Sequence, residues 1–381
     1  MKEALALSKA GYEVVALTIF TSFQQLERDQ NLLKAIKGVT YKPVLNLIET
    51  ESPFLLRFYY RLRKKIVSYL KIYFGFESPL LLGYAPELLL EASLKEEADL
   101  YIVHIDCAQY VGTKLAEKGK RVGFDFEDWY SHDYINKLRP VKFLEKIEKY
   151  ALNNSAFCLT PSNAMADAIK DYYTATARPV VIYNGFPKVE VDLESKHSNS
   201  VSIIWFSQTI GTDRGIETVF QALKVVDFPI SLKLIGDHDE SLKNEFESLF
   251  PFSKGHQLIW SQQIPADQLQ KEIAKHTIGL ALEREMPESR NTTVTNKILQ
   301  YLQSGIQVIA TKTLGQLEVA EKMEGAVHVV GFDSPNEIAE AIHQIRINAK
   351  DAKQIIDNYD KFFSWESQEG KLIDTVRNAL K

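Results

Sequence analysis

The sequence predicts an α/β chain with two doubly wound parallel sheets. Short apolar runs, each long enough for one buried strand, alternate with amphipathic stretches of helical period along most of the chain. The alternation occurs twice, and the polar stretch PKVEVDLESKHSNS (187–200) separates the two series. Because such alternation is typical of parallel sheets covered by helices on both faces, we predict two domains joined by this linker.

The first series contains six apolar runs that end at polar or turn residues. The predicted strands are 12–20, 39–48, 99–106, 121–128, 156–162 and 179–185. The predicted helices are 4–11, 26–36, 111–119, 143–154 and 163–173, and Gly11 ends the first of them.

The second series repeats the pattern. The predicted strands are 201–207, 231–237, 257–263, 277–283, 307–311 and 326–330, and the helices between them include 215–226 and 296–305. In two facing domains of this kind, the carboxyl ends of both sheets border a central cleft, where such folds bind ligands.

Composition excludes several classes of protein. The 381 residues are 45% hydrophobic and 25% charged, the balance of an ordinary globular protein with about two domains. A net charge of −5 argues against a nucleic-acid partner. The only two cysteines, Cys107 and Cys158, suit neither a disulfide framework nor a zinc site, so we expect a reducing, cytoplasmic location.

The loop ESRNTTVT (288–295) and the helix NKILQYLQSG after it suit an anionic ligand. Free N–H groups at a helix start attract anions, and Lys297 adds a full positive charge. Gln300 lies one turn further along the same side, within reach of a ribose hydroxyl. The candidate anion-binding groups of this segment are the amides of Thr293, Val294, Thr295 and Asn296.

A second loop, WFSQTIGTDRG (205–215), places Gly211 and Arg214 after a predicted strand. The Arg214 guanidinium can hold the same anionic ligand with a bidentate fork, which suits a diphosphate. The alternative is an ordinary β-α-β unit with a capped helix and a surface arginine.

Eight segments resemble, in order and spacing, the retaining nucleotide-sugar glycosyltransferases of GT-B fold, glycosyltransferase family 4 (group 1). They are KAGYEVVALT, PSNAMADAI, VVIYNG, WFSQTIGTDRGIETVFQAL, LIGD, TIGLALE, NKILQYLQSGIQVIATKTLGQLEV and FFSWESQEGKL. The resemblance implies two Rossmann-like domains facing a cleft: an acceptor domain (1–186) and a nucleotide-sugar donor domain (187–360). It also implies that a last helix (361–381) crosses back to the first domain.

The same resemblance implies transfer of a sugar, with retention, from a nucleotide-diphosphate sugar to a hydroxyl acceptor. No metal and no other cofactor is expected. The family's basic residue matches Arg214, and its helix-start amides match 293–296. Its two E-x7-E carboxylates fall at Thr292 and Gln300, so both are absent here. The donor-binding candidates that the resemblance implies are Gly211, Thr292, Thr293, Val294, Thr295, Asn296 and Gln300.

GFDFEDWYSHDY (123–134) is predicted to form the acceptor side. Relatives often carry D-x-H-E in this segment, and here Glu127 stands in place of the histidine. A carboxylate at this point can orient an acceptor hydroxyl or take its proton, so Glu127 is a catalytic candidate with Arg214 and Lys297. Asp128 and His132 are acceptor-side candidates. The alternative is that the aspartates, Asp125 included, cap the loop and the next helix.

Two other polar groups are assigned structural roles. His104 lies in an apolar strand and is predicted to be a core residue. The sequence DHD (237–239) resembles a metal-binding motif but is predicted to be a polar turn.

The segment 52–76 contains six basic residues and no acidic one. Cations follow helical spacing along one side, at Arg57, Arg61, Lys64 and Lys71. Apolar and aromatic residues follow it on the other, which suits peripheral membrane contact. The alternative is an amphipathic helix packed on its sheet with a solvated basic face.

Doubly wound domains normally start with a strand, whereas this sequence starts in the first predicted helix. Either the start is assigned too late, or the enzyme is truncated and impaired. The first sheet would then have an unfilled slot. Two rival functions are a non-catalytic nucleotide- or membrane-binding partner of a glycosyltransferase, and a nucleotide-sugar 2-epimerase.

Overall fold

A computed structural model describes residues 1–21, 38–133, 136–191 and 201–381. The predicted helix 26–36 and the linker residues 192–200 lie outside these ranges. The chain divides into two compact units. The first contains residues 1–161, 165–182 and 369–381, and the second contains 162–164 and 183–368.

The first unit alternates strands and helices as predicted. Its strands are β1 (Val14–Phe20), β2 (Val39–Asn46), β3 (Tyr101–His104), β4 (Val122–Asp125), β5 (Phe157–Thr160) and β6 (Val180–Val181). Its helices are α1 (Lys2–Lys9), α2 (Phe54–Phe74), α3 (Pro86–Lys95), α4 (Ile105–Glu117), α5 (Val141–Asn154) and α6 (Asn163–Tyr173), whose first residues belong to the second unit.

The described strands of the first unit form two parallel sheets. Strands β1 and β2 pair with each other, and β3, β4, β5 and β6 follow in that order in a second sheet.

Helix α4 begins earlier than the sequence indicates. The predicted strand 99–106 ends at His104, and the predicted helix 111–119 starts at Ile105. Ile105 has a φ of +57°, a left-handed conformation that turns the chain directly from strand to helix. A β-branched residue is not a turn signal, so the pattern could not locate this boundary.

The second unit contains six strands. They are β7 (Val201–Thr209), β8 (Ile230–Asp237), β9 (Gln257–Ser261), β10 (Ile278–Ala281), β11 (Gln307–Thr311) and β12 (Val327–Val330). The helices up to β12 are α7 (Ile216–Leu223), α8 (Glu240–Leu249), α9 (Ala266–Ile273), α10 (Glu288–Thr292), α11 (Asn296–Gln303) and α12 (Leu314–Lys322). Those after β12 are α13 (Pro335–Ile347), α14 (Ala352–Phe362) and α15 (Trp365–Leu380), whose residues from 369 belong to the first unit.

The order of these six parallel strands locates a binding position. The sheet runs β12-β11-β10-β7-β8-β9, so the chain winds outward from β7 in one direction and from β10 in the other. Ile203, Leu232 and Leu280 lie fully buried in its core. Doubly wound sheets bind ligands where the order reverses, at the carboxyl ends of the two central strands. The loops after β7 and β10 therefore border the expected site.

Among the described residues, no helix is suited to cross a lipid bilayer, since none combines the required length with the required apolarity.

Candidate functional site

A hollow lies at the switch point of the second unit. Its walls include Arg214 from the loop after β7 and Leu282, Glu283 and Arg284 from the loop after β10. Gly215 completes the wall at the start of α7, where its φ of +82° favours glycine. Two loops that are far apart in sequence thus meet where the topology predicts a ligand.

Arg214 carries the free charge of this hollow. Its side chain is half-buried, and in the described part of the chain it has no hydrogen-bond or ion-pair partner. Its neighbour Arg284 differs, because both carboxylate oxygens of Asp333 accept from the Arg284 Nη1, each at 2.7 Å. An unpaired guanidinium in a concave site is suited to an anionic ligand.

Lys297 forms an ion pair with Glu283, which is a wall residue of this hollow. The Lys297 Nζ lies 3.1 Å from the Glu283 Oε1 and 5.8 Å from the ring centre of Trp205. Glu283 is only 9% exposed, and its backbone exchanges two hydrogen bonds with the Thr311 hydroxyl at the end of β11. The cation is therefore held at a defined place beside the wall that contains Arg214.

The start of α11 offers backbone donors that no side chain of its N-cap residue satisfies. The first N–H groups of a helix have no partners within it, and here no side chain caps them. Thr295 occupies the N-cap position, and its hydroxyl is buried with no hydrogen-bond partner among the residues that the structure describes. An unsatisfied buried hydroxyl costs free energy, so a ligand oxygen at this point would restore a lost hydrogen bond.

The other predicted donor-binding residues have different surroundings. The Thr292 and Thr293 hydroxyls donate to carbonyls within α10, at Glu288 and Ser289, and Val294 is 2% exposed. These side chains are already engaged, which leaves the backbone of the loop for a ligand. The Asn296 side chain is exposed and accepts from Asn184 at 3.3 Å.

Gln300 and Gly211 are accessible to a ligand. The Gln300 side chain makes no hydrogen bond in the described ranges and is partly exposed. A β-carbon placed on Gly211 would meet no atom within 4 Å, so the loop after β7 is open there. Both assignments stay predictions.

Gly315, near the start of α12, holds the loop in place. A β-carbon on Gly315 would lie 2.2 Å from the Thr293 carbonyl oxygen and 2.9 Å from the Val294 nitrogen. Only a glycine lets the helix approach the loop this closely.

Gly315→Ala should displace the loop before α11 and weaken binding of a nucleoside diphosphate about tenfold or more, because the amides that are predicted to bind the anion would move. Calorimetric titration measures this. Gly370→Ala is the matched control, since that helical glycine faces open space and the change should leave affinity unaltered. Equal affinities for the two variants would contradict the role of Gly315.

His104 is not the core residue that the sequence predicts. Its side chain is 38% exposed, and it lies at the carboxyl end of β3. The His104 Nδ1 is 2.9 Å from an Asp125 oxygen and 3.5 Å from Glu127, and its Nε2 is 3.7 Å from Glu3. The prediction was wrong because an apolar run does not show at which residue the strand ends, and β3 ends at His104.

These contacts set the charges of the cluster. Burial opposes a charged imidazole, but hydrogen bonds to Asp125 and Glu127, with the charge of Glu3, raise the pKa of His104 well above 6.5. The hydrogen bond to His104 in turn lowers the pKa of Glu127. Burial raises the pKa of Glu3 to about 7. Glu127 is thus an ionised carboxylate, half exposed and oriented by an imidazolium.

Glu127→Gln should lower the pKa of His104, because one of its two hydrogen-bonded carboxylates is removed. An NMR titration of the imidazole proton measures this, and Glu217→Gln, in the other unit, is the control. Because the folded pKa of His104 is raised, its stabilising contribution is present below about pH 6.5 and lost as pH rises through the folded pKa. A His104 pKa that is ordinary in the unsubstituted protein would contradict the arrangement.

His132 lies in the interior of the first unit. It is 4% exposed, stacks on Trp129 with ring centres 3.8 Å apart, and contacts the Ser131 hydroxyl through Nδ1 at 2.8 Å. This burial does not support an acceptor-side role. Asp128 accepts from the Trp129 amide at 2.8 Å, and its acceptor-side role stays a prediction.

Sequence reasoning missed two carboxylates. Glu283 is the last residue of the segment TIGLALE and had no predicted role, although a charged residue directly after a buried strand is a usable signal. Glu148 is fully buried and accepts hydrogen bonds from the side chains of Trp129, Ser131 and Tyr173, so it holds the loop after β4 in place. Its position in a helix of ordinary amphipathic pattern gave no signal. The sequence 237–239 is a polar turn as predicted, since Asp239 caps α8.

Comparison with known proteins identifies the fold. No family model and no curated protein matches the sequence. Among solved structures, HepE from Anabaena, determined in complex with UDP, is 14% identical with a TM-score of 0.65, over 99% of this chain and 95% of HepE. The fold is GT-B. Sucrose-phosphate synthase from Thermosynechococcus elongatus is 16% identical with a TM-score of 0.66, over 99% and 91% of the two chains.

The GT-B fold also occurs with another chemistry among these neighbours. A putative UDP-N-acetylglucosamine 2-epimerase from Listeria monocytogenes is 10% identical with a TM-score of 0.57, over 100% of this chain and 92% of the epimerase. Identities this low establish the fold alone, so the activity has to be argued from the site.

Proposed function

We propose that this protein is a glycosyltransferase that moves a sugar from a nucleotide-diphosphate sugar to a hydroxyl acceptor. One observation carries the proposal: Arg214, which has no partner among the described residues, and Glu283, the ion-pair partner of Lys297, line one hollow at the switch point of the second unit. HepE, a neighbour of the same fold, binds UDP in its structure.

Each group has a role in the proposed reaction. As the bond from the sugar to the diphosphate breaks, negative charge grows on the diphosphate, and Arg214 stabilises it by hydrogen bonding. Lys297 adds charge, and the start of α11 adds amides and the Thr295 hydroxyl. Gln300 hydrogen-bonds a ribose hydroxyl. These cations and dipoles perform the neutralising work for which other transferases use a metal ion.

Glu127 is proposed to serve the acceptor. An ionised carboxylate that is half exposed can orient an acceptor hydroxyl or take its proton. We propose retention of configuration, as the resemblance to family 4 enzymes implies, and a product that is a surface polysaccharide or glycolipid. The proposed location is the cytoplasm, with peripheral contact at the inner face of the membrane, where a lipid-linked acceptor would lie.

Titration with nucleotides tests the proposal. Purified protein is titrated with UDP, GDP and their sugars by calorimetry, and sugar release is followed over time. We expect one nucleoside diphosphate to bind tightly and its sugar conjugate to hydrolyse slowly without an acceptor. Absence of binding throughout the panel would support the non-catalytic partner instead.

The second candidate is a nucleotide-sugar 2-epimerase, which the Listeria neighbour favours. It needs acid and base groups beside the sugar and no acceptor. Incubation with UDP-N-acetylglucosamine alone separates the two candidates, because an epimerase yields an isomeric nucleotide sugar and a transferase does not.

A further inference from the structure

Helix α2 presents its apolar face to solvent. Six large side chains recur at intervals of three or four residues along its 21 residues, and each is between 41% and 77% exposed. They are Leu55, Phe58, Leu62, Ile66, Tyr69 and Tyr73. Phe54 and Ile72 extend the same face. A helix of this length is about 32 Å long, so the apolar strip is far larger than the scattered exposed residues of ordinary surfaces.

The opposite face of α2 is the one that packs inward, and it carries most of the cations. Arg57 is 8% exposed, and its Nη1 lies 3.3 Å from the Glu49 Oε1. Arg63 pairs with Glu87 and Lys71 with Glu77, and the Lys64 Nζ lies 4.7 Å from the centre of the Tyr84 ring. This is the reverse of the packed amphipathic helix with a solvated basic face. The helix is therefore not using its apolar strip to join the first unit.

Two cations remain available beside the strip. Arg61 and Lys65 lie one turn apart along its edge, are exposed, and have no ion-pair partner in the part of the chain that the structure describes. The whole segment 52–76 holds six basic residues and no acidic one. The strip is thus an apolar surface with uncompensated positive charge at its border.

We propose that the exposed strip of α2 docks onto the surface of an anionic lipid bilayer, with the helix parallel to the membrane plane. The aromatic and aliphatic side chains would enter the boundary between headgroups and acyl chains. Arg61 and Lys65 would contact anionic headgroups, which attract basic side chains near the surface. This identifies the face responsible for the membrane contact proposed above, and it does not depend on the glycosyl transfer itself.

Charge complementarity favours a bilayer over a second copy of this chain. In a two-fold dimer built on α2, the same strip would face itself. Arg61 and Lys65 would then meet basic residues of the other helix, and segment 52–76 offers no acidic side chain to them. An anionic lipid surface satisfies both the apolar strip and the cations at its edge.

Vesicle flotation tests the proposal with the full chain. We expect the protein to float with vesicles of phosphatidylcholine and phosphatidylglycerol, more weakly with phosphatidylcholine alone, and less as salt is added. Leu62→Gln/Ile66→Gln, which keeps helix propensity, should lower vesicle affinity at least tenfold. Arg61→Gln/Lys65→Gln should lower it about tenfold on the anionic vesicles.

Two controls isolate the strip. Ile347→Gln removes an exposed aliphatic side chain from α13, and Arg377→Gln/Lys381→Gln removes two exposed cations from the end of the chain; both should float as the unsubstituted protein does. The α2 variants should bind nucleoside diphosphate with unaltered affinity in the absence of vesicles. Failure of nucleotide binding therefore counts against the proposed function and leaves the vesicle result intact.

Two outcomes would overturn the proposal. One is that the folded protein, checked by circular dichroism, floats with neither kind of vesicle. The other is that light scattering finds a dimer that Leu62→Gln/Ile66→Gln converts to a monomer without altering flotation, since the strip would then join two copies.

Discussion

Arg214→Ala should weaken the binding of nucleoside diphosphate about ten- to hundredfold, the loss expected for hydrogen bonds from a charged donor to a phosphate. The effect should be confined to binding. Arg214 has no partner among the described residues, so its removal leaves no carboxylate unpaired, and the melting temperature without ligand should change little. Calorimetric titration and thermal unfolding of the same preparation measure the two quantities.

Two variants sharpen the Arg214 result. Arg214→Lys keeps the charge but loses the bidentate fork, so it should recover only part of the affinity. Arg377→Ala, an exposed arginine of the last helix, is the control and should bind normally. If Arg214→Ala binds as tightly as Arg377→Ala, the guanidinium does not contact the diphosphate.

Lys297→Met should cost both stability and binding. Its ion pair with Glu283 lies in a largely buried place, with side-chain exposures of 18% and 10%. Breaking such a pair from one side leaves a buried charge without a partner, which destabilises a protein by roughly 3 kcal/mol. The unfolding midpoint in urea should fall accordingly, and affinity for nucleoside diphosphate should fall with it.

The double variant Lys297→Met/Glu283→Gln separates these two effects. Neutralising Glu283 removes the unpaired charge, so stability should recover most of the loss. Affinity should stay low, because the cation is still absent. Recovery of binding along with stability would mean that Lys297 acts only as a structural partner of Glu283.

The sequence located the strands and the loop positions well because both depend on local pattern. Apolar runs at 201–207 and 277–283 correspond to β7 and β10, and their carboxyl ends hold Arg214 and Glu283. A doubly wound order then brings these loops together. The two loops that border the candidate site were therefore predictable from periodicity and turn residues, and their binding of a nucleotide-sugar donor stays a prediction.

Other features depend on packing and could not be predicted. The ion pair between Glu283 and Lys297 joins residues that are 14 positions apart, and local pattern does not determine how the loop and helix between them bring the two side chains together. The link of His104 to Asp125 requires that β3 end where it does. For α2, the spacing of apolar and basic residues was correct, but which face points inward is decided by Glu49, Glu87 and Glu77 on other segments.

A crystal structure of the protein soaked with the nucleoside diphosphate that binds tightest tests the central claim most directly. We predict a diphosphate at the carboxyl end of β7 and β10, within hydrogen-bonding distance of the Arg214 guanidinium and of the Thr295 hydroxyl or the first amides of α11. A nucleotide bound at full occupancy elsewhere on the second unit, with the hollow beside Arg214 still open, would contradict the account.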